Sequence, residues 1–466
     1  MNNQSDLAPL SFKEKLGYGL GDMASNFYLG FFSLFLLYYY TDIYGIAPAA
    51  VGTMLLVSKI VDAVSDPAMG LIADRTDSRW GKYRPYLLWV AIPYGLLGYA
   101  IFLGPDLTDS GKLIYAYLTY IAVMLAFTAI NVPYSALLAV ISPVAKERTK
   151  ATTYRFICAS LGTLAVASLA TPLKEWLGGG DDLLGFRLTM ALFAVLSVTL
   201  FWITFATTRE RIEPEHHTSS VRDDFRVLLQ NTSWIFLAFA CILIVVGLAG
   251  RFASIVFYAK YYLLDDGEKV FFIFDRAAIL LTAGPVGQLV GVFFTPLLAN
   301  RFSKHHIIIA VNIIHTALLI TCFMLPPQYF WSVVLLQFLG IATFGISITL
   351  LFAMFTDCAE YGEWKTGKRT SGLVVSASMF ALKFGSAVGG AMPGFILAGF
   401  GFIANQEQTE SATMGIRLMA NIFPAICFLA GGLLLIFYKI DRTMLATIEL
   451  ELHSRRHAGD PGGTSL

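Results

Sequence analysis

Two carboxylates inside an otherwise apolar stretch set the chemical question. In VSKIVDAVSDPAMGLIADRTDSRWGKYRP, from Val57 to Pro85, Asp62 and Asp66 stand four residues apart, with Lys59 one turn before the first. On a helix all three share one face. Neighbours such as Leu56, Ile60, Val61, Val64 and Ile72 are apolar enough to lie in a bilayer, where an unpaired carboxylate costs about 2.5–3.5 kcal/mol or more. Something must neutralise these acids. Two like charges one turn apart in a low-dielectric cavity repel each other, and a bound cation or proton relieves that repulsion. Lys59 is spaced to pair with Asp62.

Few other ionisable groups fall inside apolar runs. They are Arg155 in TTYRFICASLGT, Arg251 in GLAGRFASIVFY, Lys383 in SMFALKFGSAVGG, and Asp22 after the glycines of GYGLGD. Charge in a membrane span is rare and usually functional. Lys383 is flanked too deeply on both sides to snorkel to an interface, so it needs an anion from the protein or from a substrate. For Asp22 and Arg251 a structural contact and a transport role both stand. Thr128, Asn131 and Ser135 are spaced three and four and form a polar stripe. Such a stripe suits hydroxyl recognition or helix-to-helix packing.

The elements that hold these residues are membrane spans. The 466 residues are 56% hydrophobic and 14% charged, with a mean hydropathy of +0.65, whereas soluble domains hold about 25% charged residues. An all-α integral membrane protein follows. Hydropathy marks about twelve segments, near 18–40, 49–73, 84–103, 113–141, 151–173, 187–207, 232–262, 275–300, 306–325, 329–356, 372–400 and 413–439. Arg75, Arg79, Lys82 and Arg84, then Lys146, Arg148 and Lys150, and later Lys365, Lys368 and Arg369 follow alternate spans. These basic loops, and both termini with them, are expected on the cytoplasmic side. Tyr38, Tyr39 and Tyr40 end the first span, where an aromatic belt would lie. A net charge of +1 gives no reason to expect nucleic acid. The five scattered cysteines read as small core residues, and the adjacent histidine pairs as loop residues without metal.

Between Thr208 and Asn231 the chain turns polar, dividing the spans into two sets of six. The expected organisation is a cytoplasmic tail over 1–14, a six-helix half over 15–207, a linker over 208–231, a second half over 232–440 and a tail over 441–466. GLIADRTDSRWGKYRPYLL and TPLLANRFSKHHIIIA repeat a basic turn after the second span of each half. Parallel six-span halves imply the major facilitator fold, with the site near the midplane.

The chain resembles the glycoside-pentoside-hexuronide cation symporter family of that fold. The resemblance rests on LGYGLGD, YYYTDIYGI, KIVDAVSDPAMGLIADRTDSRWGKYRPYLL, INVPYSAL, YRFICASLGT and TDCAEYGEWKTGKRTSG. It implies that Asp62 and Asp66 hold the coupling cation, assisted by Ser65 and Thr128, with Lys59 and Lys383 in coupling. Ser65 stands where melibiose-type members have Asn, so Na+ and H+ both remain open. The sugar site implied is Asn26, Phe127, Asn131, Ser135, Arg155 and Lys383. Melibiose-type members have aspartates at the positions of Asn26 and Asn131. Losing those acids while keeping Arg155 and Lys383 favours a uronide or oligouronide, with a neutral pentoside or hexoside as the alternative. GGAMPGFILAGFGFIANQEQTESATMGIR is similar to the family's glucuronide carriers. The implied protein is a monomeric inner-membrane sugar symporter surrounded by lipid, without cofactor. Asp74, Arg75, Asp357, Glu360, Glu363 and Arg369 are expected to act as cytoplasmic latches that exchange partners during alternating access. Other classes are an enzyme on lipid-linked sugars and a non-transporting sugar sensor. The sequence has no nucleophile elbow, no Walker lysine and no H-E-x-x-H to support an enzyme.

Overall fold

Ser11 opens the described chain with a capping box: its side chain accepts from the Glu14 backbone N–H, and the Glu14 carboxylate accepts from the Ser11 N–H. The structure, a computed structural model, describes residues 9–212, 231–366 and 371–458, and their regular elements are helices. Helix α1 (Phe12–Phe31) continues through two π-helical turns, Phe32–Leu36 and Tyr39–Ile43. Next come α2 (Pro48–Arg75), α3 (Arg84–Trp89), α4 (Ala91–Ile101), α5 (Asp109–Val140), α6 (Ala145–Gly178) and α7 (Asp182–Thr207). The carboxyl-terminal part has α8 (Thr232–Phe257), α9 (Arg276–Ala299), α10 (Lys304–Met324), α11 (Phe330–Thr366), α12 (Ser371–Gly399), α13 (Glu410–Arg417), α14 (Phe423–Leu434) and α15 (Arg442–Ala458).

Among the described residues, ten helical segments are long and apolar enough to cross a membrane. The first and third predicted spans are helical but interrupted. The third breaks at Val90 because Pro93 offers no N–H to the Trp89 carbonyl.

The chain folds into two compact units. The first holds the described residues of 1–216 with Phe252–Pro285 and Gly390–Arg417; the second holds those of 217–251 with Val286–Gly389 and those of 418–466. In the first unit, glycines let α1 and α6 touch backbone to backbone. A Cβ on Gly19 would stand 2.8 Å from the Tyr154 carbonyl oxygen, and one on Gly162 would stand 2.9 Å from that of Met23. Small residues permit such approach in membranes, and here they bring Asp22 and Arg155 onto facing helices. The core beside them is aromatic. Phe31 packs edge-on against Phe102, Phe186 and Phe193. Tyr39 and Tyr40 belong to this interior, each 0% exposed. The aromatic-belt expectation is corrected accordingly, since belt residues face the interface and these rings pack on Phe102, Phe186 and each other.

Opposite that end, the Glu210 carboxylate accepts from the backbone N–H groups of Lys82 and Tyr83, each at 2.8 Å, and of Arg84 at 3.0 Å. It thereby satisfies orphan donors at the start of α3. Arg84 closes the corner by donating to the Phe205 carbonyl at 2.7 Å. Hydrogen bonds to a charged group are worth about 1.5–3 kcal/mol, so Glu210→Ala is expected to lower stability by about that amount. Thermal unfolding in detergent measures this, and an unchanged midpoint would remove Glu210 from the fold's supports.

The second unit has a conventional apolar core that includes Leu237, Ile244, Ile308, Leu351, Met354 and Phe428. Arg251 is buried within this unit at 1% exposure. Its guanidinium donates to Gln337 Oε1 at 3.0 and 2.7 Å, to Asn421 Oδ1 at 3.0 Å and to the Ala420 carbonyl. All five cysteines are buried free thiols, as expected.

Candidate cation and sugar sites

Helix α2 packs on α5, and this contact assembles the first cluster. Lys59 Nζ lies 2.8 Å from Asp62 Oδ2. Thr128 on α5 donates to Asp66 Oδ1 at 2.9 Å. Ser65 lies between them, with Oγ 3.5 Å from Thr128 Oγ1 and 3.4 Å from the Asp62 carbonyl. Asp62 is 6% exposed, and its buried Oδ1 has no hydrogen-bond partner among the described residues. A buried acceptor without a donor is costly; beside a second carboxylate and two hydroxyls it suits a proton or a hard cation, which prefers oxygen ligands. Two carboxylates one helical turn apart repel each other, and a monovalent cation bound beside them would relieve that repulsion.

The second cluster lies between α1, α5 and α6. Arg155 Nε is 3.3 Å from Asp22 Oδ2, and one terminal nitrogen is 3.4 Å from Asp22 Oδ1 and 3.5 Å from Ser135 Oγ. The guanidinium also sits 5.0 Å from the centre of the Tyr134 ring, a cation–π distance. Tyr134 stacks on Tyr18 and donates to the Tyr18 carbonyl at 2.6 Å. Asn26 donates to the Asp22 carbonyl at 2.8 Å and accepts from Thr163 at 3.3 Å. The α5 stripe joins the clusters: Thr128 meets Asp66, Ser135 meets Arg155, and Asn131 lies between them in sequence. Phe127, half-buried, has its ring 6.2 Å from Tyr94.

Sequence reasoning left the roles of Asp22 and Arg251 open. Asp22 turns out to be the partner of Arg155, and Arg251 belongs to the second unit, bonded to Gln337, Asn421 and Ala420. Lys383 is exposed on α12, also in the second unit. Of the expected latches, Asp74 accepts from the Tyr83 hydroxyl at 2.9 Å, and Asp357 pairs with Lys304 at 2.7 Å. Arg75 ends α2, and Glu360 and Glu363 lie on α11. Arg369 lies outside the described residues.

A lock that sequence reasoning missed joins the outward-predicted end of the first unit. Asp42, with its side chain 0% exposed, takes Lys260 Nζ at 3.0 Å. It also accepts from the Tyr261 hydroxyl, and from Thr41 at 2.9 Å. Asn405 ties the group together, accepting from Lys260 at 2.7 Å and donating to the Asp42 carbonyl at 2.6 Å. The only sequence signal was an acid, Asp42, within the YYYTDIYGI block.

A family model described as MFS/sugar transport protein matches residues 17–442. The chain belongs to this family. The MFS/sugar transport chain is therefore an all-α membrane transport protein with the major facilitator fold, multi-pass in the bacterial inner membrane, and not an enzyme. It is 35% identical to the inner membrane symporter YicJ of Escherichia coli (strain K12), over 95% of either chain. It is 31% identical to an isoprimeverose transporter of Lactiplantibacillus pentosus, over 96% of this chain and 93% of that protein. A glucuronide carrier protein homolog of E. coli (strain K12) is 32% identical over 96% of each chain. In fold the chain is similar to the crystal structure of a D-xylose-proton symporter, with a TM-score of 0.64 over 91% of this chain and 97% of that one, at 13% identity.

Proposed function

We propose that the protein couples the entry of one neutral glycoside to one monovalent cation, Na+ or H+. Asp62, Ser65, Asp66 and Thr128 form the cation site; Asn26, Phe127, Asn131, Ser135 and Arg155 form the sugar site; Lys383 serves coupling. The observation that carries the substrate's charge is the Asp22–Arg155 pair. A uronide was expected because Asn26 and Asn131 stand where melibiose-type members have aspartates while Arg155 and Lys383 are kept. With Asp22 beside it, the guanidinium is already compensated, and docking a second carboxylate there would bury an excess negative charge. A neutral sugar meets no such penalty and bonds the same groups through hydroxyls. The likeness to the isoprimeverose transporter supports a neutral glycoside, while the likeness to the glucuronide carrier homolog supports the uronide as the second reading.

Coupling follows from linkage. A cation that relieves the Asp62–Asp66 repulsion also orders Thr128 at the head of the α5 stripe, so cation raises sugar affinity and sugar raises cation affinity by the same factor. Alternating access then opens the Asp42–Lys260 lock as the latches Asp74, Arg75, Asp357, Glu360, Glu363 and Arg369 exchange partners. Both termini and the 208–231 linker face the cytoplasm, with two six-helix halves over 15–207 and 232–440. Equilibrium binding of a neutral disaccharide tests linkage. Its affinity is expected to rise at least fivefold, about 1 kcal/mol, on adding Na+ or on lowering the pH. Affinity independent of both would end the coupling assignment.

A further inference from the structure

Apart from the two clusters, the first unit contains a cavity of about 480 Å³, within the size range of small-ligand sites. Its walls come from the π-helical end of the first helix, the end of α6, the start of α7, the end of α8 and the loop after it. Phe35, Tyr38 and Phe186 give it aromatic faces, and five carboxylates face two ammonium groups around it.

Each polar group of the wall can be assigned, Glu175 sharing a side-chain hydrogen bond with Asp275. Lys174 pairs with Asp182 at 2.7 Å, and Lys260 belongs to the Asp42 lock. Asp181 accepts from the Leu184 N–H, Asp265 from the N–H groups of Gly267 and Ala277, and Asp266 from that of Glu268. Burial, and after it the charge of Asp275, raises the Asp265 carboxyl above its ordinary range. Thr171 is the exception. It lines the cavity at 8% exposure, and its hydroxyl has no hydrogen-bond partner among the described residues.

These features narrow the ligand. No group of three or more metal-binding side chains converges among the described residues, so the acids are spread along a wall instead of gathered around an ion. Their excess negative charge repels a uronide. Carboxylates that keep spare lone pairs accept from hydroxyls, while aromatic faces suit the apolar side of a sugar ring. We propose that this cavity is a second, outer sugar subsite that takes a neutral glycoside, with Glu175 and Asp266 accepting from its hydroxyls, Tyr38 and Phe186 facing its ring, and Thr171 bonding its edge. The proposal rests on the neutral-glycoside reading and extends it: the cargo meets a neutral-selective wall beside the Asp42–Lys260 lock before it reaches Arg155.

The test is an NMR titration of the full-length protein in lipid nanodiscs with a xylosyl-glucose disaccharide. Wild type is expected to bind two equivalents. Arg155→Gln should lose one, and Glu175→Gln with Asp266→Asn should weaken the other roughly tenfold. Thr171→Val, a smaller change, should weaken that second equivalent alone, which keeps the test open if the double variant fails to fold. Binding in wild type that Arg155→Gln abolishes entirely would overturn the subsite and leave the function reading intact. No binding in wild type would overturn both.

Discussion

Asp66→Asn is expected to abolish uphill accumulation: internal sugar rises only to the external concentration, although the protein folds and still binds sugar. The reason is electrostatic. Lys59 pairs with Asp62, and Asp66, which accepts from Thr128, adds the second carboxylate whose repulsion a driving cation relieves. Removing its charge leaves no carboxylate repulsion for a cation to relieve. Asp62→Asn should behave differently. It strips the partner from Lys59, and breaking a buried pair costs about 3–5 kcal/mol, reduced here because Lys59 keeps 26% of its side-chain surface exposed. This variant is expected to lose stability as well as coupling, and adding Lys59→Met should restore the stability alone. Vesicle accumulation and thermal unfolding measure the two effects separately. Normal uphill uptake by Asp66→Asn contradicts the assignment.

Asp22→Asn should invert the preference for substrate charge. With Asp22 neutral, Arg155 becomes an uncompensated cation that a uronide carboxylate can engage, bidentate where geometry allows. A uronide is then expected to gain roughly tenfold in affinity, about 1.4 kcal/mol, while the neutral glycoside of the same shape loses a comparable factor as Arg155 loses its orientation. Asn131→Asp, adding an acid on the same stripe, should weaken a uronide further and spare the neutral sugar. Competition binding with a matched glucuronide and glucoside reads both. Tighter uronide binding by the unmodified protein would reverse the reading.

The clustering of the candidate cation residues was legible in the sequence because one helix supplies most of them. Lys59, Asp62, Ser65 and Asp66 lie within eight residues, and helical periodicity alone puts the charged three on one face. Thr128 comes from the fourth predicted span, and its hydroxyl donates to Asp66. The candidate sugar site was half legible. Arg155 and Ser135 were identified, but the partner of Arg155 sits 133 residues away on another helix, and no periodicity links such positions. Their meeting depends on the close approach allowed by Gly19 and Gly162. The Asp42 lock was hidden for the same reason: Lys260 and Asn405 come from distant segments. The tyrosines before it were misread because a helix end rich in aromatics looks alike whether its rings face lipid or a core. Pro93 and the π-helical turns broke two spans that hydropathy, blind to hydrogen-bond register, draws as continuous.

Uphill transport in vesicles tests the central claim most directly. The purified protein is reconstituted, a Na+ gradient or a pH gradient is imposed in turn, and a labelled neutral xylosyl-glucose disaccharide and a glucuronide are supplied outside. The account predicts that one of the two gradients drives accumulation of the neutral sugar, recovered chemically unchanged, with one positive charge entering per sugar, and that the glucuronide accumulates far less. Accumulation of the glucuronide alone, or equilibration of the neutral sugar indifferent to both gradients, would contradict it.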